Sequence, residues 1–458
     1  MADEIAQTDP VVELPRYRFK VGQELVYQLT CREDPSDHVA DVSTHLDHME
    51  WRCFVVQRND DGSWRLFIRT DLTFLDTAGK PRAKRQSLGY CDLRPDGSYA
   101  LDEQTAILKR LVPHELFCRL PDQASELDAG WSYDCPVERL TYDFTRASRE
   151  NTNLRIRGVA NTPYNETHRW ETTRQYEFNL DRGLVERIVV EFRGLSDRLV
   201  RDRRTIELKS MVQRDSAWVS QFHAEANDYL AAYTSWSRLI NDAAWVHSSA
   251  VCETVLHDAR PLLVAGRDKA GPGIVQAMYD ANIQEHDEHS AWAIDHAKKR
   301  EAYFAMAPEF SADWQTKRLD GGTFRLTELR GKIVVLDFWS TSCEYCVLAA
   351  PQVAQLAAEY QAKGVEFIGM FDRRESDDQQ DAQAQSLIKN VYHGIPHFEG
   401  HQIAEHYRLN AFGFGYPALV ILDQSGIVHE VHSGYTADLP QRMRTILDGM
   451  LSKQVDSR

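Results

Sequence analysis

Cys343 and Cys346, three residues apart, are the pair in this sequence best placed for redox chemistry. They follow the apolar run Ile333-Val334-Val335-Leu336-Asp337-Phe338, which reads as a buried central strand. The stretch from Tyr345 to Ala362 reads as a helix. This spacing puts Cys343 just past the end of a strand and Cys346 in the first helical turn. A helix N-terminus presents unpaired N–H groups and the positive end of the helix dipole, and both favour a thiolate at Cys343. The thiolate is the nucleophile. Cys346, one turn deeper, is within reach to form a disulfide, so dithiol and disulfide can interconvert without large backbone motion.

Other chemistries fit these residues less well. A C-x-x-C can be half of a zinc site, but structural zinc needs four ligands and the chain has no second C-x-x-C. His393, His397, His401 and His406 flank Gly394, Pro396 and Gly400, which predicts a loop rather than one ligating helix face. His286, His289 and His296 are expected on the exposed polar face of a helix. No metal and no cofactor are expected. A peroxide-reducing thiol site would read P-x3-T-x2-C, and Leu336 and Ser340 stand at its Pro and Thr positions. A peroxiredoxin-like peroxidase is therefore a lesser alternative, sharing only the activated thiolate. Cys31, Cys53, Cys91, Cys118, Cys135 and Cys252 are scattered, and are expected to be buried thiols or to form one or two disulfides.

The elements that must position the pair occupy the last third of a 458-residue chain. That length suggests roughly two to four domains. Hydrophobic residues make up 43% and charged residues 27%, which excludes collagen-like and wholly disordered classes. The net charge of −16 speaks against a nucleic-acid partner, whose footprint is basic. The basic stretch Arg198–Arg204 alternates with apolar and acidic residues and reads as the solvated face of a strand. No run of about 18 apolar residues is present, so no transmembrane segment is expected. Residues 1–14 read as a polar tail.

Residues 15–215 read as an antiparallel β-domain. In Trp64–Leu72 the residues Leu66, Ile68, Thr70 and Leu72 share one face, the signal of a half-buried strand. Turns at Asn59–Ser63, Arg94–Gly97 and Asp181–Gly183 carry the Asp-Gly chemistry of hairpins. A short helix is expected at Asp102–Leu111. Residues 216–305 read as helical: Trp218, Phe222, Tyr229, Tyr233, Trp236 and Leu239 recur at helical spacing, Val264–Gly273 breaks the pattern, and a second long helix runs from Ile274 through Arg300. Residues 306–458 alternate strand and helix, with a polar helical insert at Asp377–Tyr392 and strands at Val365–Phe371 and Ala418–Leu422. The fold class is multidomain: an antiparallel β-domain, a helical middle, and a C-terminal α/β domain.

That last domain resembles the thioredoxin-like superfamily, and within it the TlpA/ResA-type thiol–disulfide oxidoreductases. Four features in order carry the resemblance: the strand Gly331–Trp339, the motif Cys343-Glu344-Tyr345-Cys346, Pro351 five residues later, and Tyr416-Pro417 ahead of the strand Ala418–Leu422. The resemblance implies a thioredoxin fold, with Cys343 as the exposed attacking thiol and Cys346 as the resolving thiol. It implies that Pro417 is cis, that Tyr416 and Trp339 border the substrate, and that Asp337 matches the buried acid placed to accept the proton of Cys346 through water; the alternative is that Asp337 is only a buried, hydrogen-bonded core acid. Ser342, Ala349 and Tyr416 depart from the family's usual Trp, acid and small residue. Glu344 sets a negative charge beside Cys343, which raises a thiol's pKa and predicts a potential toward the reducing end, about −270 mV.

The reading is a thiol–disulfide oxidoreductase whose partners are protein thiols or disulfides and an upstream electron donor. The alternative is a binding or redox-sensing scaffold in which the β-domain holds a ligand. The resemblance implies a periplasmic or membrane-associated setting. The N-terminus Met1-Ala2-Asp3-Glu4-Ile5 lacks a charged n-region and an apolar h-region, from which a cytoplasmic location is expected.

Overall fold

Where apolar and polar residues alternate in the first 215 residues, the chain forms long antiparallel strands. The computed structural model describes residues 14–33, 46–75, 80–101, 113–135, 140–145, 147–163, 169–194, 200–243, 246–307, 314–341, 343–373, 378–392, 394–436 and 438–456. Apart from Leu14, the expected tail lies outside them, as does the expected helix at Asp102–Leu111. The described residues fold as two units. Residues 14–163, 169–234 and 264–282 form the first, and residues 235–263 and 283–456 the second.

The first unit is built on one sheet. Its strands are β1 (Gln23–Glu33), β2 (Leu46–Arg58), β3 (Trp64–Leu75), β4 (Pro81–Leu93), β5 (Tyr99–Leu101), β6 (Trp131–Cys135), β7 (Leu140–Phe144), β8 (Ser148–Glu150), β9 (Asn153–Pro163), β10 (Arg169–Asn179), β11 (Leu184–Gly194) and β12 (Val200–Gln213). They run in the order β5-β4-β3-β2-β1-β12-β11-β10-β9-β7-β6, with β8 on β9. β1 closes against β12 across nearly the whole β-region of the sequence. The three Asp-Gly turns form as expected; Gly97 has a φ of 82°, and a Cβ there would overlap the Cys118 carbonyl. One face carries the core, with Tyr17, Leu25, Trp51, Leu66, Ile68, Ile156 and Ile188 buried in a single cluster. Arg203 on β12 pairs with Glu191 at 3.3 Å, and Arg204 lies over the Phe192 ring, which keeps both charges on the sheet surface.

The half-buried pattern of β3 is incomplete as a description. Phe54 and Phe67, on the opposite face, are also buried, because Trp218 and Phe222 at the start of helix α1 (Ser216–Ala243) pack on them with ring centroids 4.6–5.9 Å apart. A strand pattern cannot show a helix lying over its polar face.

The helical middle consists of three long helices. α1 is followed by α2 (Ser249–Lys269) and α3 (Ile274–Met306). The expected break at Val264–Gly273 is confined to the residues after Lys269. Gly266 lies inside α2, where a Cβ would overlap the Tyr279 ring, so this glycine serves close helix packing rather than termination. The helices are shared between the units. Tyr229 on α1 meets Tyr279 on α3 edge-on in the first unit. In the second, Trp236 Nε1 donates to His286 Nδ1 at 3.1 Å. His286 is therefore buried, against the expectation of an exposed face, while His289 and His296 are more open to solvent.

The second unit's central sheet runs β17 (His397–Glu399), β16 (Val365–Phe371), β15 (Ile333–Trp339), β18 (Ala418–Leu422), β19 (Val428–Ser433). A small hairpin, β13 (Gln315–Lys317) and β14 (Thr323–Arg325), precedes it. β15 and β16 pair in parallel, as do β16 and β17; β18 and β19 are antiparallel. All seven residues of β15 are buried, as its apolar run requires of a central strand covered on both faces. Val335 and Trp339 point to a core shared with α4 (Glu344–Tyr360) and α7 (Leu439–Asp456); Val334, Leu336 and Phe338 point to a core that includes Tyr303 of α3. Arg300 on α3, 6% exposed, bonds Glu430 and the Val431 carbonyl of β19. α5 (Asp378–Asn390) is the polar helical insert, and α6 (His401–His406) follows β17.

Candidate active site

The parallel strand β15 ends at Trp339 and α4 begins at Glu344, so the intervening residues turn the chain from sheet edge to helix. Cys343 is the N-cap of α4, with extended φ and ψ of −96° and 100°. Its N–H donates to the Ser340 carbonyl at 3.2 Å, and its Sγ accepts the Cys346 N–H at 3.1 Å. Cys343 and Cys346 form a disulfide with Cα atoms 5.2 Å apart. Cys343 is half-buried, whereas Cys346 is 1% exposed. Once the disulfide opens, the accessible sulfur faces an amide N–H at a helix start, which favours its thiolate. Ser342 and the side chain of Glu344 lie outside the described residues.

Asp337 lies on β15 between Val335 and Trp339, so it points to the face that also carries Cys346. It is 2% exposed, and burial lifts its carboxyl from the usual range to about 7, against the pull of a hydrogen bond from Tyr392. Its Oδ2 has no hydrogen-bond partner among the described residues.

The peptide bond Tyr416–Pro417 is cis. Pro417 is buried at the head of β18 and its carbonyl accepts the Gly434 N–H at 2.8 Å. Tyr416 is half-buried and packs against the cluster that holds Trp339 and Cys346, as does Cys343. Tyr345, between the cysteines, is 59% exposed and stacks on Tyr435 with ring centroids 6.4 Å apart.

Trp339 departs from expectation. The resemblance sets it at the substrate border, but it has zero exposure, so it cannot touch a docked protein. It ends a strand whose inward face points into the core, where its ring meets Phe371, Tyr392 and His397 at 4.9–5.5 Å. Its Nε1–H donates to His397 Nδ1 at 3.2 Å.

Tyr392 and His397 also lie beneath the site; Tyr392 carries no functional signal in the sequence, and His397 stands there only among the histidines weighed as metal ligands. His397 belongs to β17, not to a loop; burial holds it neutral, down to about 3. His401 pairs with buried Asp372 at 2.8 Å, His406 ends α6, and His393 lies outside the described residues. The three described histidines thus lie in separate surroundings. Among the described residues no group of three or more His, Cys, Asp or Glu is arranged to hold a metal. Cys53, Cys91, Cys118 and Cys252 are buried free thiols; the side chains of Cys31 and Cys135 lie outside the described residues.

The sequence profile of the AhpC/TSA family matches residues 305–431. The chain carries a thioredoxin-like domain at its C-terminal end. Over 130 residues, 28% of this chain, it is 27% identical to the thiol-disulfide oxidoreductase ResA of Oceanobacillus iheyensis, and it spans 63% of that relative's length. It is 28% identical to ResA of Geobacillus thermodenitrificans over 29% of this chain and 74% of the relative. It is 27% identical to the thioredoxin-like protein YneN of Bacillus subtilis over 31% and 78%. A crystal structure titled a putative thiol:disulfide interchange protein DsbE from Chlorobium tepidum aligns with 30% of this chain and 93% of its own, at 22% identity and a TM-score of 0.27. The thioredoxin-like match does not extend to the β-domain. Among the described residues no helix is long and apolar enough to cross a membrane.

Proposed function

We propose that the thioredoxin-like domain is a thiol–disulfide oxidoreductase that exchanges disulfides with protein substrates through Cys343 and Cys346. One observation carries this reading: a disulfide spans the first turn of α4, with one sulfur accessible and the other buried. Cys343 thiolate attacks a substrate disulfide, forms a mixed disulfide and expels one substrate sulfur as thiolate. Cys346 gives its proton to the Asp337 carboxylate, attacks Cys343 Sγ and expels the second substrate sulfur. Two electrons pass from the protein dithiol to the substrate, and the chain returns to the disulfide. A donor dithiol must then reduce Cys343–Cys346; reverse flow oxidises a substrate dithiol. By the resemblance, an extended substrate segment docks along the backbone beside Tyr416, and exposed Tyr345 offers it an aromatic surface.

The test is reduction of insulin disulfides by the full chain with dithiothreitol as donor. The wild type should accelerate insulin precipitation and Cys343→Ser should fall to the uncatalysed rate. Equal rates for both would refute the reading and favour the binding-scaffold alternative.

A further inference from the structure

We propose that Tyr345 and Tyr435 form one aromatic platform beside Cys343, and that it selects protein substrates carrying an aromatic side chain next to the reacting cysteine. The proposal rests on the exchange reaction above and names its substrate class. It begins with α4. Tyr345, two residues past Cys343, is 59% exposed, and Leu348, three residues further along the same helix face, is 39% exposed. Apolar side chains scattered singly over a surface are ordinary. These two are neighbours, and they lie at the end of the helix that carries the accessible sulfur.

Tyr435 completes the patch. Its ring stacks on that of Tyr345, with 6.4 Å between centroids and 18° between planes. It is half-buried and packs against the same cluster as Cys343 and Tyr416, so the three border one core. The loop that carries Tyr435, between β19 and α7, is tied to the loop that carries Pro417. The Gly434 N–H donates to the Pro417 carbonyl at 2.8 Å, and Ser433 Oγ donates to the Gly415 carbonyl at 2.8 Å. His432 Nε2 donates to the Gly434 carbonyl at 3.1 Å. Beyond the ring, the Thr436 carbonyl accepts the Leu439 N–H at 3.2 Å. Tyr435 is thus fixed by hydrogen bonds before and after it in the chain.

This arrangement decides what can bind and where. A third ring inserted between two others needs about 3.5 Å on each side, roughly 7 Å in all, so nothing fits between Tyr345 and Tyr435. An incoming side chain must lie on their solvent side. Tyrosine offers a large, rigid surface with only two side-chain torsions to fix, and an aromatic partner gains more from it than its buried area alone supplies. A substrate joined to Cys343 through sulfur is anchored at one point, so the side chains next to its cysteine are the ones that reach the platform. A small disulfide with no such side chain forms the bond and misses the contact. The platform therefore speeds exchange for one class of polypeptide rather than for every disulfide.

The test uses short peptides whose single cysteine is held as a mixed disulfide with thionitrobenzoate, with either Phe or Ala on both sides of the cysteine, and reduced full-length protein at pH 7. The Cys343 thiolate attacks the peptide sulfur. The Cys343–peptide bond forms, the peptide–thionitrobenzoate bond breaks, and thionitrobenzoate leaves with the electron pair. Cys346 then attacks Cys343 Sγ and expels the peptide thiolate, so the protein ends oxidised and the peptide reduced. Thionitrobenzoate absorbance gives the second-order rate constant, and Cys343→Ser supplies the background of other thiols. The wild type should react about three- to tenfold faster with the Phe peptide than with the Ala peptide. That ratio should fall below about twofold in Tyr435→Ala and be kept in Tyr435→Phe. A wild-type ratio near one, or a Tyr435→Ala protein that keeps the wild-type ratio, overturns the proposal. If Tyr435→Ala does not fold, Tyr345→Ser, at the exposed position, must lower the ratio in the same way; an unchanged ratio overturns it. The two levels separate cleanly. A wild type no faster than Cys343→Ser on either peptide refutes the exchange reaction itself, whereas a fast reaction that does not discriminate refutes the platform alone.

Discussion

Replacing Asp337 by Asn should stabilise the thioredoxin-like domain most at alkaline pH, with the effect shrinking as pH falls toward the ordinary carboxylate range. The native carboxyl is buried with one oxygen unpartnered, and its pKa stands at about 7 against an ordinary 3.8. A raised carboxyl pKa means that the folded state binds its proton more tightly than the unfolded state. Its contribution to stability is fully present below the unfolded pKa and is lost as pH rises through the folded one. The difference of about 3 units corresponds to about 4 kcal/mol of charge burial above pH 7. That figure is an upper bound, since a protein relaxes around a buried charge. Asn has nearly the same shape and no charge to bury. The assay is urea titration of the oxidised full chain with hydrogen exchange of the β15 amides as readout, at pH 5, 7 and 8.5. The gap between variant and wild type should widen from about 1–2 kcal/mol at pH 5 to roughly 2–4 kcal/mol at pH 8.5, with most of the widening complete by pH 7. A gap that does not grow with pH would refute the claim that Asp337 is an uncompensated buried acid.

Two further outcomes follow from the same region. Gly369→Ala puts a methyl group into the His397 ring and should lower stability by about 1–3 kcal/mol, seen as a lower melting temperature of the domain; an unchanged temperature would show that the ring is loosely packed. Glu344→Gln removes the charge next to Cys343 in sequence and should raise the redox midpoint by up to about 30 mV, measured against glutathione, whereas a lower midpoint would contradict the charge argument.

The features of this domain that arise from local sequence were legible before any coordinates. The apolar run of β15, the cysteine spacing and the Tyr416–Pro417 dipeptide each act within a few residues, and the polar insert appears as α5 within two residues of its expected ends. What was not legible depends on partners distant in sequence. Trp339 reads as a residue beside the active site, but strand alternation turns it into the core. His397 reads as a loop histidine because its environment is made by Gly369 and Trp339, joined to it only by strand register and ring packing. Tyr392 meets the Trp339 ring across 53 residues of sequence, and no periodicity encodes that contact. The same holds in the first unit, where Phe54 and Phe67 sit on what reads as a solvent face until α1 covers it.

The central claim is that Cys343 attacks and Cys346 resolves. It is tested most directly by trapping: full-length Cys346→Ser and Cys343→Ser proteins are reduced, mixed with a protein disulfide such as insulin, and separated without reductant for mass spectrometry. Cys346→Ser should accumulate a mixed disulfide mapped to Cys343, because its resolving sulfur is gone while the accessible one remains. Cys343→Ser should trap nothing above background, because the remaining thiol is buried. Equal trapping by the two variants, or trapping at Cys346 alone, would contradict the account.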